Sequence, residues 1–225
     1  GLWLLMGSVS SSLAQPPRLI ETRWIGSTIV DLSGDGRIVL VYEGSYSWLL
    51  FWQIDPFDAI YYVRADGSLT RTREGVLVAV LKLSYDGTIA VGNVGGRAVI
   101  WRYGIGVEYL PNPNPAWRWM SGTSLSWWDG RVVYGYARMP IGYTERYVGW
   151  RYQDGVVLEL PNPFVPYPTR ACSADGSCVL LGGPWGGARW CEDVGIYGPG
   201  GCCISADGRI VAVGSYRWIE GHGFE

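Results

Sequence analysis

A four-residue signature, Ser-x-Asp-Gly, recurs along the chain and constrains its fold more than any other feature. The copies are centred on five aspartates, and the third copy carries one inserted residue: Asp35, Asp86, Asp129, Asp175 and Asp207. The intervals between these aspartates are 51, 43, 46 and 32 residues. Self-similarity at such a period is typical of repeat architectures in which each unit is one supersecondary element. We therefore expect an array of about five similar units.

Each Asp-Gly pair lies between two aliphatic and β-branched runs, such as 80–83 and 88–91, which is the pattern of a β-hairpin. Glycine supplies the positive φ that closes such a loop, and the aspartate binds its own backbone. The five aspartates are thus predicted to be structural turn residues. The residues three before and three after each aspartate, for example Leu83 and Ile89, are predicted to pair across the hairpin. The third copy, with its insertion, is expected to depart from this register.

An aromatic anchor follows each of the first four hairpins and is expected to end a third strand. These anchors are Trp52, Trp101, Trp150 and Trp190. A fourth extended run follows, and in two copies it ends at Pro-Asn-Pro, which removes backbone donors. Four short strands in roughly 45 residues are typical of a β-propeller blade. A β-solenoid is the competing architecture, although its coils repeat over fewer residues.

Composition supports an all-β fold, since the chain has 33 Gly, 14% aromatic residues and only one lysine, Lys82. One domain of β-propeller-like repeats is expected over 15–225, with units near 27–66, 78–113, 121–163, 169–200 and 201–225. In the last unit a third strand is expected to start at His222 and to stop before its tryptophan. Either 19–24 completes a small five-bladed ring or the array is truncated, and truncation is favoured.

The first residues, 1–14, resemble the apolar part of a signal peptide, with Ser12-Leu13-Ala14 fitting the small-x-small cleavage rule. A buried strand is the alternative. The run is too short to cross a bilayer of roughly 30 Å as a helix, and no transmembrane segment is expected. These features predict export to the periplasm, the cell surface or the medium.

The segment Cys203-Ile-Ser-Ala-Asp-Gly-Arg-Ile-Val-Ala-Val-Gly214, followed by Gly-His-Gly-Phe-Glu225, resembles the HAF family of probable extracellular repeats. The family pattern continues to Ala-Phe-x-Trp, which Ala98-Val-Ile-Trp101 matches here. The resemblance extends over roughly 29–225 and is clearest in the second, fourth and fifth units. It implies a secreted or surface-attached, propeller-like protein and implies no catalytic residues.

Five cysteines in the last third of the chain suit an oxidising compartment. Cys172 and Cys178 replace the expected cross-strand apolar pair and are predicted to form a disulfide, because opposed strand positions come close enough to bridge. Cys191 is left to pair with Cys202 or Cys203. Five reduced cysteines, or a zinc site that adds His222, are the alternatives.

No motif specifies a reaction, and no cofactor is expected. General acid and base catalysis would need two carboxylates from different units on one face, for which Glu43, Glu145, Glu192 and Asp193 are the candidates. A Ser-His-Asp triad would depend on His222, the single histidine. A net charge of −2 without a basic cluster disfavours nucleic acid as a partner.

Aromatic residues in Pro- and Gly-rich inserts are the candidate ligand-binding residues, since inserts collect on propeller faces and flat rings stack on sugars or clamp peptides. They are Trp117, Trp119, Trp127, Trp128, Tyr143 and Trp185. The alternative is that they cap the apolar ends of the blades. The sequence therefore predicts an exported, non-catalytic binding or scaffold module for a glycan or an extracellular protein, or alternatively a secreted propeller enzyme.

Overall fold

A computed structural model describes residues 28–33, 38–43, 57–63, 69–71, 79–126, 128–161, 169–183 and 186–225. Several sequence-based predictions lie outside these residues, namely the 1–14 signal segment, pairing by 19–24, Asp35, Trp52, Trp127 and Trp185. The described residues form strands and turns and contain no helix. Accordingly, nothing in them could cross a membrane as an apolar helix. The all-β prediction is confirmed.

Twenty strands form five four-stranded antiparallel sheets, each a meander of consecutive strands. The first sheet contains β1 Thr28–Leu32, β2 Ile38–Glu43, β3 Phe57–Val63 and β4 Leu69–Arg71. The second contains β5 Ala79–Leu83, β6 Ile89–Val94, β7 Arg97–Arg102 and β8 Gly106–Tyr109. The third contains β9 Trp119–Leu125, β10 Val133–Ile141, β11 Thr144–Gln153 and β12 Val156–Glu159. The fourth contains β13 Thr169–Cys172, β14 Cys178–Gly183, β15 Gly186–Cys191 and β16 Gly195–Pro199. The fifth contains β17 Cys203–Ile204, β18 Ile210–Val213, β19 Tyr216–Ile219 and β20 Gly223–Phe224.

The fifth unit differs from its prediction. Its third strand is β19, which places Trp218 at the buried anchor position, and Gly223–Phe224 forms the fourth strand. The expected third strand at His222 is therefore wrong, because the hairpin after β18 needs only Gly214 and Ser215 to reverse the chain. Trp101, Trp190 and Trp218 lie opposite the residue four after the turn aspartate of their own unit.

The first hairpin of every unit has one geometry, set by the motif serine. In the fourth unit the Ser173 N–H donates to the Cys178 carbonyl, and the Cys178 N–H donates to Ser173 Oγ at 2.9 Å. The same exchange joins Ser33 with Ile38, Ser84 with Ile89, Ser126 with Val132 and Ser205 with Ile210. The third unit therefore keeps the common pairing, contrary to prediction, because its extra residue is absorbed inside the turn.

The turn aspartates are held by the hydroxyl of this serine and by the backbone, as predicted for the four that are described. Asp175 Oδ1 accepts from Ser173 Oγ at 2.6 Å and from the Ser177 N–H at 2.9 Å. Partial burial would raise the pKa of Asp175, but these hydrogen bonds outweigh it and the pKa lies below its usual value. The pKa is lowered in the same way at Asp86 and Asp129, and at Asp207 chiefly by the Ser205 hydroxyl.

The disulfide predicted between Cys172 and Cys178 is wrong, because Cys178 has a different partner. The structure joins Cys178 to Cys191, directly opposite it on β15, and leaves Cys172 as a free thiol. The reason is register: Ser173 pairs with Cys178, so Cys172 lies opposite Val179 rather than opposite Cys178. A shift of one residue turns a side chain to the other face of the sheet. Leu83 and Ile204 are shifted likewise, facing Ala90 and Val211 instead of Ile89 and Ile210.

Neighbouring sheets pack face to face through their hairpin tips and their apolar sides. The first strands are in contact in chain order, β1 with β5, then β9, β13 and β17. Each described glycine of the Ser-x-Asp-Gly motif faces a residue of the preceding unit: Gly87 faces Ile38, Gly130 faces Ile89, Gly176 faces Val132 and Gly208 faces Cys178. A Cβ on Gly176 would lie 2.7 Å from the Cβ of Val132. The five units therefore stack with one repeated contact.

The apolar core lies between these sheets. Val91 and Ile100 of the second sheet pack with Val133, Val148 and Trp150 of the third. The next interface joins Val132, Tyr134 and Leu160 with Val179 and Leu181. Leu180, Val211 and Trp218 continue the core to the fifth sheet. The anchor tryptophans thus contribute to the packing between units, and this packing supports the first strands of the sheets.

Candidate functional site

Residues of the first strands of all five sheets line one cavity of about 470 Å³. Its lining comes from β1, β5, β9, β13 and β17 and from two hairpin tips: Asp31, Lys82, Leu83, Thr123, Ser124, Leu125, Arg170, Ala171, Cys172, Ala174, Cys202, Cys203, Ile204 and Ala206. Pockets lined by several elements of a repeat array bring together side chains that are distant in sequence. Lys82 and Cys203, for example, are 121 residues apart.

A β-bulge in each first strand aims side chains at this cavity. The register shifts between Ile29 and Asp31, between Val80 and Lys82, beside Thr123 and between Thr169 and Cys172. In the fifth unit both Cys202 and Cys203 lie opposite Ala212. The shifts fall at the same place in every unit, two and three residues before the motif serine. Bulges re-aim side chains and are frequent at functional sites.

We call the cavity-lining residues at these positions the bulge ring: Asp31, Lys82, Thr123, Ser124, Arg170, Ala171, Cys202 and Cys203. The serine, aspartate and glycine of the motif are constant between units, whereas the ring differs in chemistry at every unit. A fixed frame with variable side chains at one position is the arrangement by which repeat proteins carry function. No motif in the sequence predicts this ring, and its one sequence signal is the variability of the two positions that lie two and three residues before each motif serine.

The charges of the bulge ring are partly compensated. Lys82 Nζ lies 3.0 Å from Asp31 Oδ1, and Asp31 Oδ2 accepts the Leu83 N–H at 2.8 Å. Asp31 is the only acid among the described lining residues. Arg170 is exposed and has no ion-pair partner within the part of the chain that the structure describes. The described lining residues therefore carry a net positive charge.

An aromatic pair stands on the hairpin tips of the same side. The residues immediately before the turn aspartates in the fourth and fifth units, Ala174 and Ala206, line the cavity and are joined by a 2.9 Å backbone hydrogen bond. The equivalent residues of the second and third units are Tyr85 and Trp128, whose ring centroids lie 4.9 Å apart. Trp128 is 60% exposed. Repeat equivalence therefore places an aromatic platform at the rim of the cavity; Tyr85 was not anticipated from sequence.

The predicted aromatic set does not form one surface. Strand β10 runs from Val133, beside the Asp129 turn, to Ile141, beside Tyr143. Trp128 and the fully exposed Tyr143 thus lie at opposite ends of the third sheet. Trp117 is buried in the core and Trp119 stacks with Arg138 near the Tyr143 end. None of the described members lines the cavity, and Trp128 alone has repeat equivalents, Ala174 and Ala206, that do.

Among the described acid and base candidates, Glu145 lies apart from Glu192 and Asp193, which line a second, smaller pocket with Asp207 and Glu220 of the fifth unit. Glu145 lies 3.7 Å from Arg138 near the Tyr143 end of the third sheet. Glu192 directly follows β15 and pairs at 2.9 Å with Arg151, which lies near the other end of the third sheet. The side chain of Glu43 is outside the described residues. No group of three or more histidine, cysteine or acidic side chains able to hold a metal occurs in the described residues, so the zinc alternative at Cys191 and His222 finds no support there.

No protein-family model matches the chain, and no curated protein matches it either.

Proposed function

We propose that this chain is an exported, non-catalytic binding module of the HAF type, built as a β-propeller of five blades, and that it binds a carboxylate-bearing glycan at the cavity. Four-stranded meanders, first strands in contact in chain order and one shared cavity are the features that a propeller requires. The Cys178–Cys191 disulfide and the repeated Ser-x-Asp-Gly signature fit export and the HAF resemblance.

The bulge ring and the aromatic platform support the choice of ligand. Tyr85 and Trp128 offer flat apolar faces for a sugar ring, and Arg170 and the Lys82–Asp31 pair lie on the cavity wall. Arginine binds a carboxylate through two parallel hydrogen bonds, which makes it the ring member best suited to a uronic acid. Thr123 adds a hydroxyl on the neighbouring first strand, where it is hydrogen-bonded to Thr169 Oγ1 at 2.6 Å.

Binding of trigalacturonate, measured by calorimetry with maltotriose as the neutral comparison, tests this proposal. We expect trigalacturonate to bind and maltotriose to bind more weakly. Arg170→Ala should weaken trigalacturonate binding by about 10- to 100-fold, the worth of a hydrogen bond to a charged group. Trp128→Ala should weaken both sugars.

Matched controls separate the site from general surface effects. Tyr143→Ala removes an equally exposed aromatic residue at the other end of the third sheet, and Arg217→Ala removes an exposed cation that pairs with Glu225 outside the cavity. Both controls should bind as the parent protein does. Equal affinity for the charged and neutral sugars, or weaker binding in the controls, would overturn the proposal. Binding of a protein but of neither sugar would assign the site to a protein ligand instead.

A further inference from the structure

Two adjacent thiols of the bulge ring face the same cavity. On a regular strand Cys202 and Cys203 would point to opposite faces, but both lie opposite Ala212 at the bulge and both line the cavity. Both are exposed and neither is in a disulfide. The Cys202 thiol donates to the Ala212 carbonyl at 3.4 Å.

We propose that Cys202 and Cys203 form a two-thiolate site for a soft monovalent cation, Cu(I). Thiolates select Cu(I) over hard cations, and Cu(I) is stable with two sulfur ligands in a near-linear arrangement. Zinc needs four ligands, and the described residues supply no third or fourth ligand here. The site goes beyond the glycan proposal and does not depend on it.

The electrostatics of the pair favour a cation between the sulfurs. Burial and the neighbouring Cys202 raise the pKa of Cys203, while Lys82 opposes that rise. The raised pKa favours the protonated Cys203 thiol when the site is empty. Binding replaces two S–H bonds with two S–Cu bonds and releases two protons, so Cu⁺ and two thiolates leave one negative charge. Lys82, which also lines the cavity, offsets that charge, and the copper does not change its oxidation state.

Cys172 lines the same cavity but does not belong to the site. Its thiol donates to the Leu125 carbonyl at 3.1 Å, and burial raises its pKa to about 12, so it stays protonated. It packs in the interface between the third and fourth sheets. Cys172→Ala is therefore the matched control, since it removes a cavity thiol without touching the adjacent pair.

Competition with the chromogenic Cu(I) chelator bicinchoninate, under nitrogen, tests the site. The protein should take one equivalent of Cu(I), lose the reactivity of two thiols toward Ellman's reagent and show two Cu–S contacts by X-ray absorption. Cys202→Ser and Cys203→Ser should each lose the competition, while Cys172→Ala and Arg170→Ala should keep it. Circular dichroism and the intact Cys178–Cys191 bridge must confirm that each variant is folded.

Three results would overturn the site. They are failure of the folded protein to compete for Cu(I), equal loss in Cys172→Ala, and a Cys202–Cys203 disulfide in the protein as isolated. Failure of the glycan proposal is distinguishable, because the copper competition is measured without any sugar. If the glycan site is correct, trigalacturonate binding should persist in Cys202→Ser and Cys203→Ser, whereas copper binding should be lost. Arg170→Ala should show the reverse pattern.

Discussion

Replacement of Gly176 by alanine perturbs the contact that repeats between sheets. Gly176 has a φ of +75° and a Cβ there would lie 2.7 Å from Val132 Cβ and 3.1 Å from Ser126 Cβ, both on the preceding sheet. The left-handed backbone costs an alanine about 1–2 kcal/mol. Overpacking against the neighbouring sheet adds about 1–3 kcal/mol. Gly176→Ala should therefore lower the free energy of unfolding by about 2–5 kcal/mol.

Gly155→Ala is the control for backbone strain alone. Gly155 has a φ of +85° in the β11–β12 turn of the third sheet, and nothing lies within 4 Å of the Cβ it would gain. Its cost should be about 1–2 kcal/mol. Urea unfolding followed by tryptophan fluorescence gives both values, provided the slope with denaturant is unchanged. If Gly176→Ala is no more destabilising than Gly155→Ala, the hairpin tips of successive sheets do not stack as described.

Three further predictions concern the hairpins and the disulfide. Ser173→Ala should cost about 1–3 kcal/mol, because it leaves the buried Cys178 N–H without its acceptor; a change within about 0.5 kcal/mol in urea unfolding, the range of ordinary surface substitutions, would contradict this. The described turn aspartates have lowered pKa values in the folded state, so their ionised carboxylates stabilise the fold above the unfolded pKa of about 3.9. This stabilisation should be lost as the pH falls below that value, and an acid titration followed by circular dichroism checks it. Reduction of the Cys178–Cys191 bridge, with a sequence separation of 13, should cost about 3 kcal/mol. Unchanged unfolding after verified reduction would refute that cost, and a linked peptide joining Cys172 to Cys178 by mass spectrometry would refute the pairing itself.

Local turn chemistry could be predicted from the sequence because it is encoded within a few residues. The Ser-x-Asp-Gly motif fixes the hairpin, its glycine and the role of each described aspartate. The register was missed by one residue, since the serine hydroxyl replaces a backbone acceptor and pairs Ser173 with Cys178. That one shift accounts for the wrong disulfide partner.

No sequence motif predicts the bulge ring, because its position depends on the register of the sheet and its members share no residue type. Lys82 and Cys202 share no chemistry, yet each stands two or three residues before a motif serine. The aromatic set was predicted from exposure of inserts, but whether inserts meet depends on the end of the sheet from which they leave. Trp128 and Tyr143 leave from opposite ends.

Convergence of the first strands on one cavity is tested most directly by cross-linking. Lys82 is the only lysine of the sequence, and across the cavity from it lie the exposed thiols of Cys202 and Cys203. A short amine-to-thiol reagent should join the Lys82 peptide to the Cys202–Cys203 peptide within one monomer, and Cys172→Ala should not reduce the yield. Products that remain attached at one end only, or that join separate molecules, would contradict the convergence of the second and fifth units.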